Sequence, residues 1–132
     1  MAAIPNFVLK KLYVKGSLCN RPEGCEFSVQ NGIATGTVTR IHGVEIDGVS
    51  YSLEEVVGFT PDGAARPLAV ISPKAPLPLT AGTGITVRLP GTRLQPGKHD
   101  IKFRFETREL GDLEIRVSDR VREGQPPSVR GE

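Results

Sequence analysis

Apolar and polar residues trade places at every step over four stretches of this chain, and that period of two does more than any other feature to narrow the fold. Ile101, Phe103 and Phe105 alternate with Lys102, Arg104 and Glu106, and Leu113, Ile115 and Val117 alternate with Glu114, Arg116 and Ser118. Ile85, Val87 and Leu89 flank Thr86 and Arg88, while Cys25, Phe27 and Val29 interleave with Glu26, Ser28 and Gln30. Neighbouring side chains of an extended strand leave opposite faces, so each stretch predicts a strand with one side against a common core. Pro90-Gly91 through Pro96-Gly97, and then Glu109 to Asp112, supply turn signals too short for helical crossovers. The four stretches are therefore expected to form one antiparallel meander.

Three further segments extend the pattern. Phe7 to Leu18 reads as a long first strand whose alternation changes phase at Lys10-Lys11, which predicts a β-bulge there. Thr35 to Asp47 is rich in β-branched residues, and Asp47-Gly48 provides a two-residue turn into Val49-Ser50-Tyr51. Ser52 with Glu55 three residues on makes a capping box for a single helical turn over 52–56. Fifteen glycines and 11 prolines punctuate the chain and favour short extended segments over helices, which argues against an α/β fold. The expectation is an all-β, antiparallel β-sandwich, jelly-roll-like, with at most one short helical turn, filling residues 1–119. The stretch 120–132 has alternating charges and two adjacent prolines and reads as a flexible tail.

Charge and cysteine usage limit the function classes. Seventeen Lys and Arg against 15 Asp and Glu leave a formal charge of +2, too little for the one-signed field that phosphate backbones require. No nucleic acid partner is expected. No run of about 18 apolar residues is present, and Met1-Ala2-Ala3-Ile4-Pro5 lacks the make-up of a signal peptide, so no membrane association and a cytoplasmic location are expected. Cys19 and Cys25 flank a hairpin loop and are expected to be free thiols in a reducing compartment.

Residues of catalytic type are few, and none falls in a spacing that chemistry demands. His99, after Leu94-Gln95-Pro96-Gly97-Lys98, reads as an anchor for its turn, with a proton-transfer or ligand-binding role as the alternative. His42 is read the same way. Asp47 is explained by its turn, Glu55 by its cap, and Asp112 and Asp119 as strand ends without partners that would tune them. No catalytic residue, no metal ligand and no cofactor is assigned to this chain. Arg88, Lys102, Arg104 and Arg116 are expected on one polar sheet face, either receiving an anionic ligand or pairing with Glu106 and Glu114 across strands. The segment Ser72 to Leu79 contains three prolines and is expected as an extended loop or edge. Its Leu77 and Leu79, with Ile71, either form an interface or fold back over the chain's own core.

The order of motifs carries a likeness. Asn6-Phe7-Val8-Leu9-Lys10-Lys11-Leu12-Tyr13-Val14-Lys15-Gly16-Ser17-Leu18 is followed by Gly24-Cys25-Glu26-Phe27-Ser28-Val29, Val44-Glu45-Ile46-Asp47-Gly48 and Leu94-Gln95-Pro96-Gly97-Lys98-His99-Asp100-Ile101. This run resembles the small β subunit of two-component C-glycoside deglycosidases and its uncharacterised relatives, over residues 6 to 119. The resemblance implies a β-sandwich that supports a larger, sugar-isomerase-like subunit. The divalent metal and the proton-transferring residues would belong to that partner.

Three functions follow as expectations. The first is a non-catalytic accessory subunit assembled with a larger sugar- or glycoside-acting enzyme, part of a carbon–carbon lyase complex. The second is a stand-alone, self-associating module that binds a small sugar or anionic ligand. The third is an enzyme using His99 or His42 with a recruited metal.

Overall fold

The computed structural model describes residues 9–32 and 36–123. Its strands are β1 (Cys19–Arg21), β2 (Gly24–Gln30), β3 (Gly36–Ile46), β4 (Val49–Ser50), β5 (Val57–Phe59), β6 (Ala65–Pro67), β7 (Leu77–Leu79), β8 (Gly84–Pro90), β9 (Lys98–Thr107), β10 (Gly111–Arg120) and β11 (Arg122–Glu123). They form two sheets, one ordered β11-β1-β2-β8-β5-β6 and the other β10-β9-β3-β4, with β7 also paired to β3. Among the described residues all strand pairings are antiparallel except β1 with β11. The fold is an all-β sandwich, as the alternation predicts.

The core lies between the sheets. Phe27 and Val87 of the first sheet and Val44 and Ile101 of the second are each at most 2 % exposed. The rings of Phe27 and Phe103 meet edge to face across the layers at 6.0 Å, and Tyr13 packs on Phe27 at 6.0 Å. Such aromatic contacts add about 1 kcal/mol each beyond the area they bury.

The single meander is not found. The β2 strand pairs with β8, and β9 pairs with β10, but β8 and β9 lie in different sheets. The connection over residues 91–97 is long enough to cross between layers, and alternation alone is blind to which layer a strand joins.

The first strand is also corrected. Lys10–Leu12 is a 3-10 turn, Tyr13 makes an isolated bridge with Val29, and the first strand begins only at Cys19, past the expected stretch; residues 7 and 8 lie outside the described chain. Leu9 and Tyr13, four apart, are buried while Lys10 and Lys11 are exposed. That spacing suits a helical face, and the two lysines mark the solvent side of a turn.

Bulges occur instead in β3. Against β9 its register slips between Val38 and Arg40 and again between Ile41 and Gly43. Each slip lets apolar residues three apart, Val38, Ile41 and Val44, face the same core. The Asp47-Gly48 turn has positive φ at both residues, 54° and 81°, as a type I′ hairpin requires, and joins β3 to β4. The segment 52–56 closes one turn through the Glu55 and Val56 N–H groups on the Ser52 carbonyl. A second 3-10 turn, Leu68–Val70, was not foreseen.

The chain-end expectation needs one change. Arg120 ends β10, and Arg122–Glu123 pair with Cys19 and Asn20, so the ordered structure runs past 119. Residues 124–132 of the expected tail lie outside the described chain. Cys19 and Cys25 are free. Cys19 sits opposite Glu26 and Cys25 opposite Asn20, which sends the two thiols to opposite faces of the hairpin. Burial pushes the Cys25 thiol up to about 11.

Candidate functional site

The hydrogen-bonding groups at one end of the sandwich are largely consumed by the fold, which leaves an apolar opening. Asn31 donates its side-chain N–H to the Leu79 carbonyl at 3.0 Å, and Gln30 donates to Gly82 at 3.0 Å. Thr107 accepts from the Leu110 N–H and donates to the Gly111 carbonyl, while Glu109 accepts from the Thr37 N–H at 2.8 Å. Inside this polar rim is a cavity of about 180 Å³ between the sheets. Val29 and Ile85 form one wall, Phe103, Phe105 and Ile115 the other, and Leu12, Leu79, Leu110 and Leu113 stand at its mouth. Leu110 is 50 % exposed. An apolar opening of this kind has the shape and chemistry to receive an apolar group.

The Pro-rich segment contributes to it. Leu77–Leu79 is an edge strand on β3, with Pro78 opposite Thr37, where its missing N–H disrupts little. Ile71 and Leu77 are buried in the core, at 3 % and 5 % exposure, so these two are corrected from interface residues to core residues. Leu79 is half-buried at the mouth.

The arginines are not gathered on one face. Arg88 lies on β8 in the first sheet, whereas Lys102 and Arg104 on β9 and Arg116 on β10 lie in the second. Arg88 donates through two nitrogens to Glu26 at 3.0 and 2.9 Å and lies over the Phe59 ring at 4.5 Å. Arg21 approaches the same carboxylate at 3.3 Å. Arg104 passes over Gly43, where any Cβ would sit 2.5 Å from its guanidinium, and comes within 3.8 Å of Glu45. Lys102 is 4.0 Å from Glu45, and Arg116 is bonded to Glu114. The outer face of the second sheet is charge-balanced. A broader hollow there, about 420 Å³, is lined by Lys10, Glu45, Asp100, Lys102, Arg116 and Ser118 among others.

His99 is held at both ring nitrogens. Nδ1 lies 2.5 Å from Asp47 Oδ2 and Nε2 lies 2.7 Å from the Gln95 carbonyl. Both neighbours are acceptors, so the ring satisfies both only when each nitrogen carries a proton. The Asp47 bond, then the Gln95 bond, raise the His99 pKa, and the same His99 contact, with the Asp100 N–H, lowers that of Asp47. The geometry is that of a turn anchor joining Asp47 to the start of β9.

Asp119 is corrected. The carboxylate is buried and accepts from the Tyr13 hydroxyl at 2.6 Å and from the Gly16 and Leu18 N–H groups. Burial pulls its pKa upward, but these bonds and one from the Arg120 N–H outweigh that and hold it below the usual carboxylate range. Asp112 too has a neighbour, His42, at 3.0 Å.

Sequence reasoning missed two arrangements. The apolar opening is assembled from the first 3-10 turn and from β2, β3, β7, β8, β9 and β10, and no local pattern signals it. His42, Glu106 and Asp112 bring potential ligand atoms within 4.8 Å of one another, on three neighbouring strands. The one available signal was the spacing of Val38, Ile41 and Val44, which implies bulges that redirect the residues between them.

A family model described as hydroxymethylglutaryl-CoA reductase, N-terminal domain, matches residues 8–122. The chain belongs to that family. The match runs from the first 3-10 turn into β11, and so takes in both sheets of the sandwich. No curated protein matches the chain. Among the described residues no helix is long and apolar enough to cross a membrane.

Proposed function

We propose that this chain is a non-catalytic β-sandwich module that assembles with a larger enzyme and docks through the apolar end of the sandwich. The observation that carries this is the contrast between that end and the sheet faces. Leu12, Leu79, Leu110 and Leu113 ring an opening lined by hydrocarbon, while the arginines and lysine on the faces are matched to carboxylates. Exposed ion pairs contribute little to association, whereas a desolvated aliphatic anchor seated in a pocket contributes much.

Two supports bear on the partner. The family's name ties the domain to hydroxymethylglutaryl-CoA reductase, and the strand and turn motifs resemble the β subunit of C-glycoside deglycosidases. Both readings set a small β domain beside a larger catalytic unit; they differ in the enzyme. Co-expression with each type of unit, a reductase catalytic domain and a sugar-isomerase-like subunit, separates them. A one-to-one complex with either, lost on Leu110→Asp, supports the proposal; no complex with either contradicts it.

A second reading, a module that binds a small sugar, has one observation in its favour. The hollow on the second sheet mixes the cations of Lys102 and Arg116 with the carboxylates of Glu45 and Asp100 and the Ser118 hydroxyl, a set suited to a polyhydroxylated ligand. Saturable sugar binding by the isolated chain, weakened by Arg116→Ala, would favour it.

A further inference from the structure

Two bulges in one strand aim at the same carboxylate. The register slips of β3 leave Thr39 and His42 as the unpaired extra residues, and both reach Glu106 on β9. The Thr39 hydroxyl donates to Glu106 Oε2 at 3.1 Å, while His42 Nε2 lies 4.0 Å from Glu106 Oε1. A bulge can re-aim a strand residue, and these two, while keeping Val38, Ile41 and Val44 on the core, bring buried Thr39 and exposed His42 to one carboxylate.

Glu106 also faces a like charge. In the β9–β10 ladder Glu106 stands directly opposite Asp112, an arrangement that costs stability unless a cation lies between. His42 Nε2 is 3.0 Å from Asp112 Oδ1. One imidazole nitrogen and two carboxylate oxygens, all within 4.8 Å, therefore surround a common point.

We propose that His42, Glu106 and Asp112 bind a divalent transition-metal ion, with Zn²⁺ the best fit to one nitrogen and two oxygens. Ligand bonds of about 2.0–2.2 Å in a tetrahedron place donor atoms roughly 3.3 Å apart. The His42–Asp112 spacing is already near this, and the Asp112 side chain, 77 % exposed, is free to turn inward. Thr39 holds Glu106 by its other oxygen and so orients Oε1, as second-sphere partners of metal ligands do. Arg40 approaches Glu106 at 3.7 Å, but its side chain is 52 % exposed and can swing into solvent when the ion enters. The fourth position is left to water or to a ligand from outside the chain. This site lies on the opposite side of β9 from the apolar core and does not depend on the docking proposal.

The test is Zn²⁺ titration of the intact chain by calorimetry, with Co²⁺ absorption as a second readout. The expected result is one ion per chain with a micromolar dissociation constant and a Co²⁺ spectrum typical of nitrogen and oxygen donors. His42→Ala and Asp112→Asn each weaken binding at least tenfold, Thr39→Val weakens it about tenfold, and His99→Gln leaves it unchanged. Thermal melts of the variants without metal check that the fold is intact. Absence of saturable binding in the wild-type chain, or equal binding by His42→Ala, overturns the proposal.

Discussion

The Tyr13 hydroxyl donates to Asp119 Oδ2 at 2.6 Å and so ties the residue after the first 3-10 turn to the end of β10. The two are 106 positions apart, and both are buried. Tyr13→Phe keeps the ring contact with Phe27 and removes only the donor. A hydrogen bond to a charged group contributes about 1.5–3 kcal/mol, so urea unfolding should show a loss in that range. The pH sign follows from the two groups. Asp119 has a lowered pKa, so its contribution is present above the ordinary aspartate value and fades as pH falls through the lowered one. Burial, then the Asp119 bond, raises the Tyr13 pKa, so its contribution is present below the ordinary tyrosine value and fades only at strongly alkaline pH.

The His99–Asp47 pair predicts a second pH effect near neutrality. His99 is raised above its ordinary value, so its share of stability is complete below about 6.5 and is lost as pH climbs through the raised value. Wild-type melts should lose stability as pH rises above about 6.5, the ordinary histidine value, and His99→Gln should flatten that slope. Asp47 is half exposed, which limits the effect to about 1 kcal/mol.

Arg88→Ala tests whether this arginine serves the fold or a ligand. Glu26 is only 9 % exposed, and losing the two-nitrogen contact strands much of its charge. A cost of about 2–4 kcal/mol is expected, with Glu26→Gln in the same chain recovering part of it. A variant as stable as wild type would show the pair to be incidental.

Gly84 meets the backbone of the neighbouring strand so closely that a Cβ there would lie 2.1 Å from the Val29 carbonyl oxygen. Gly84→Ala must therefore part β2 from β8 at the Gln30–Gly84 end of their ladder, with a cost of more than about 2 kcal/mol by chemical denaturation. Gly91→Ala meets nothing within 4 Å but takes on a positive φ of 74°, so its cost is the smaller one, about 1 kcal/mol.

The strand positions were legible because one face of each strand is dry. β2, β8, β9 and β10 fall where the alternation of Phe27, Val87, Phe103 and Ile115 with polar neighbours puts them, and Asp47-Gly48 turns as its residue types require. Layer assignment was not legible, since Ile85 to Leu89 and Ile101 to Phe105 present the same pattern whether they share a sheet or face each other. Lys10-Lys11 was misread because a turn with Leu9, Leu12 and Tyr13 inward and a bulged strand give the same local string. The site was legible only in pieces: His99 as a turn anchor came from its neighbours, while the meeting of His42, Glu106 and Asp112 depends on bulges whose trace is a change of spacing from two to three.

The most direct measurement is the mass of the complex that the intact chain forms when co-expressed with a reductase catalytic domain or a sugar-isomerase-like subunit, read by light scattering after size exclusion. A one-to-one assembly with one of these, abolished by Leu110→Asp in a chain that still melts as wild type does, is the predicted result. A chain that elutes alone in both cases, or that forms the complex equally well with Leu110→Asp, contradicts docking through the open end of the sandwich.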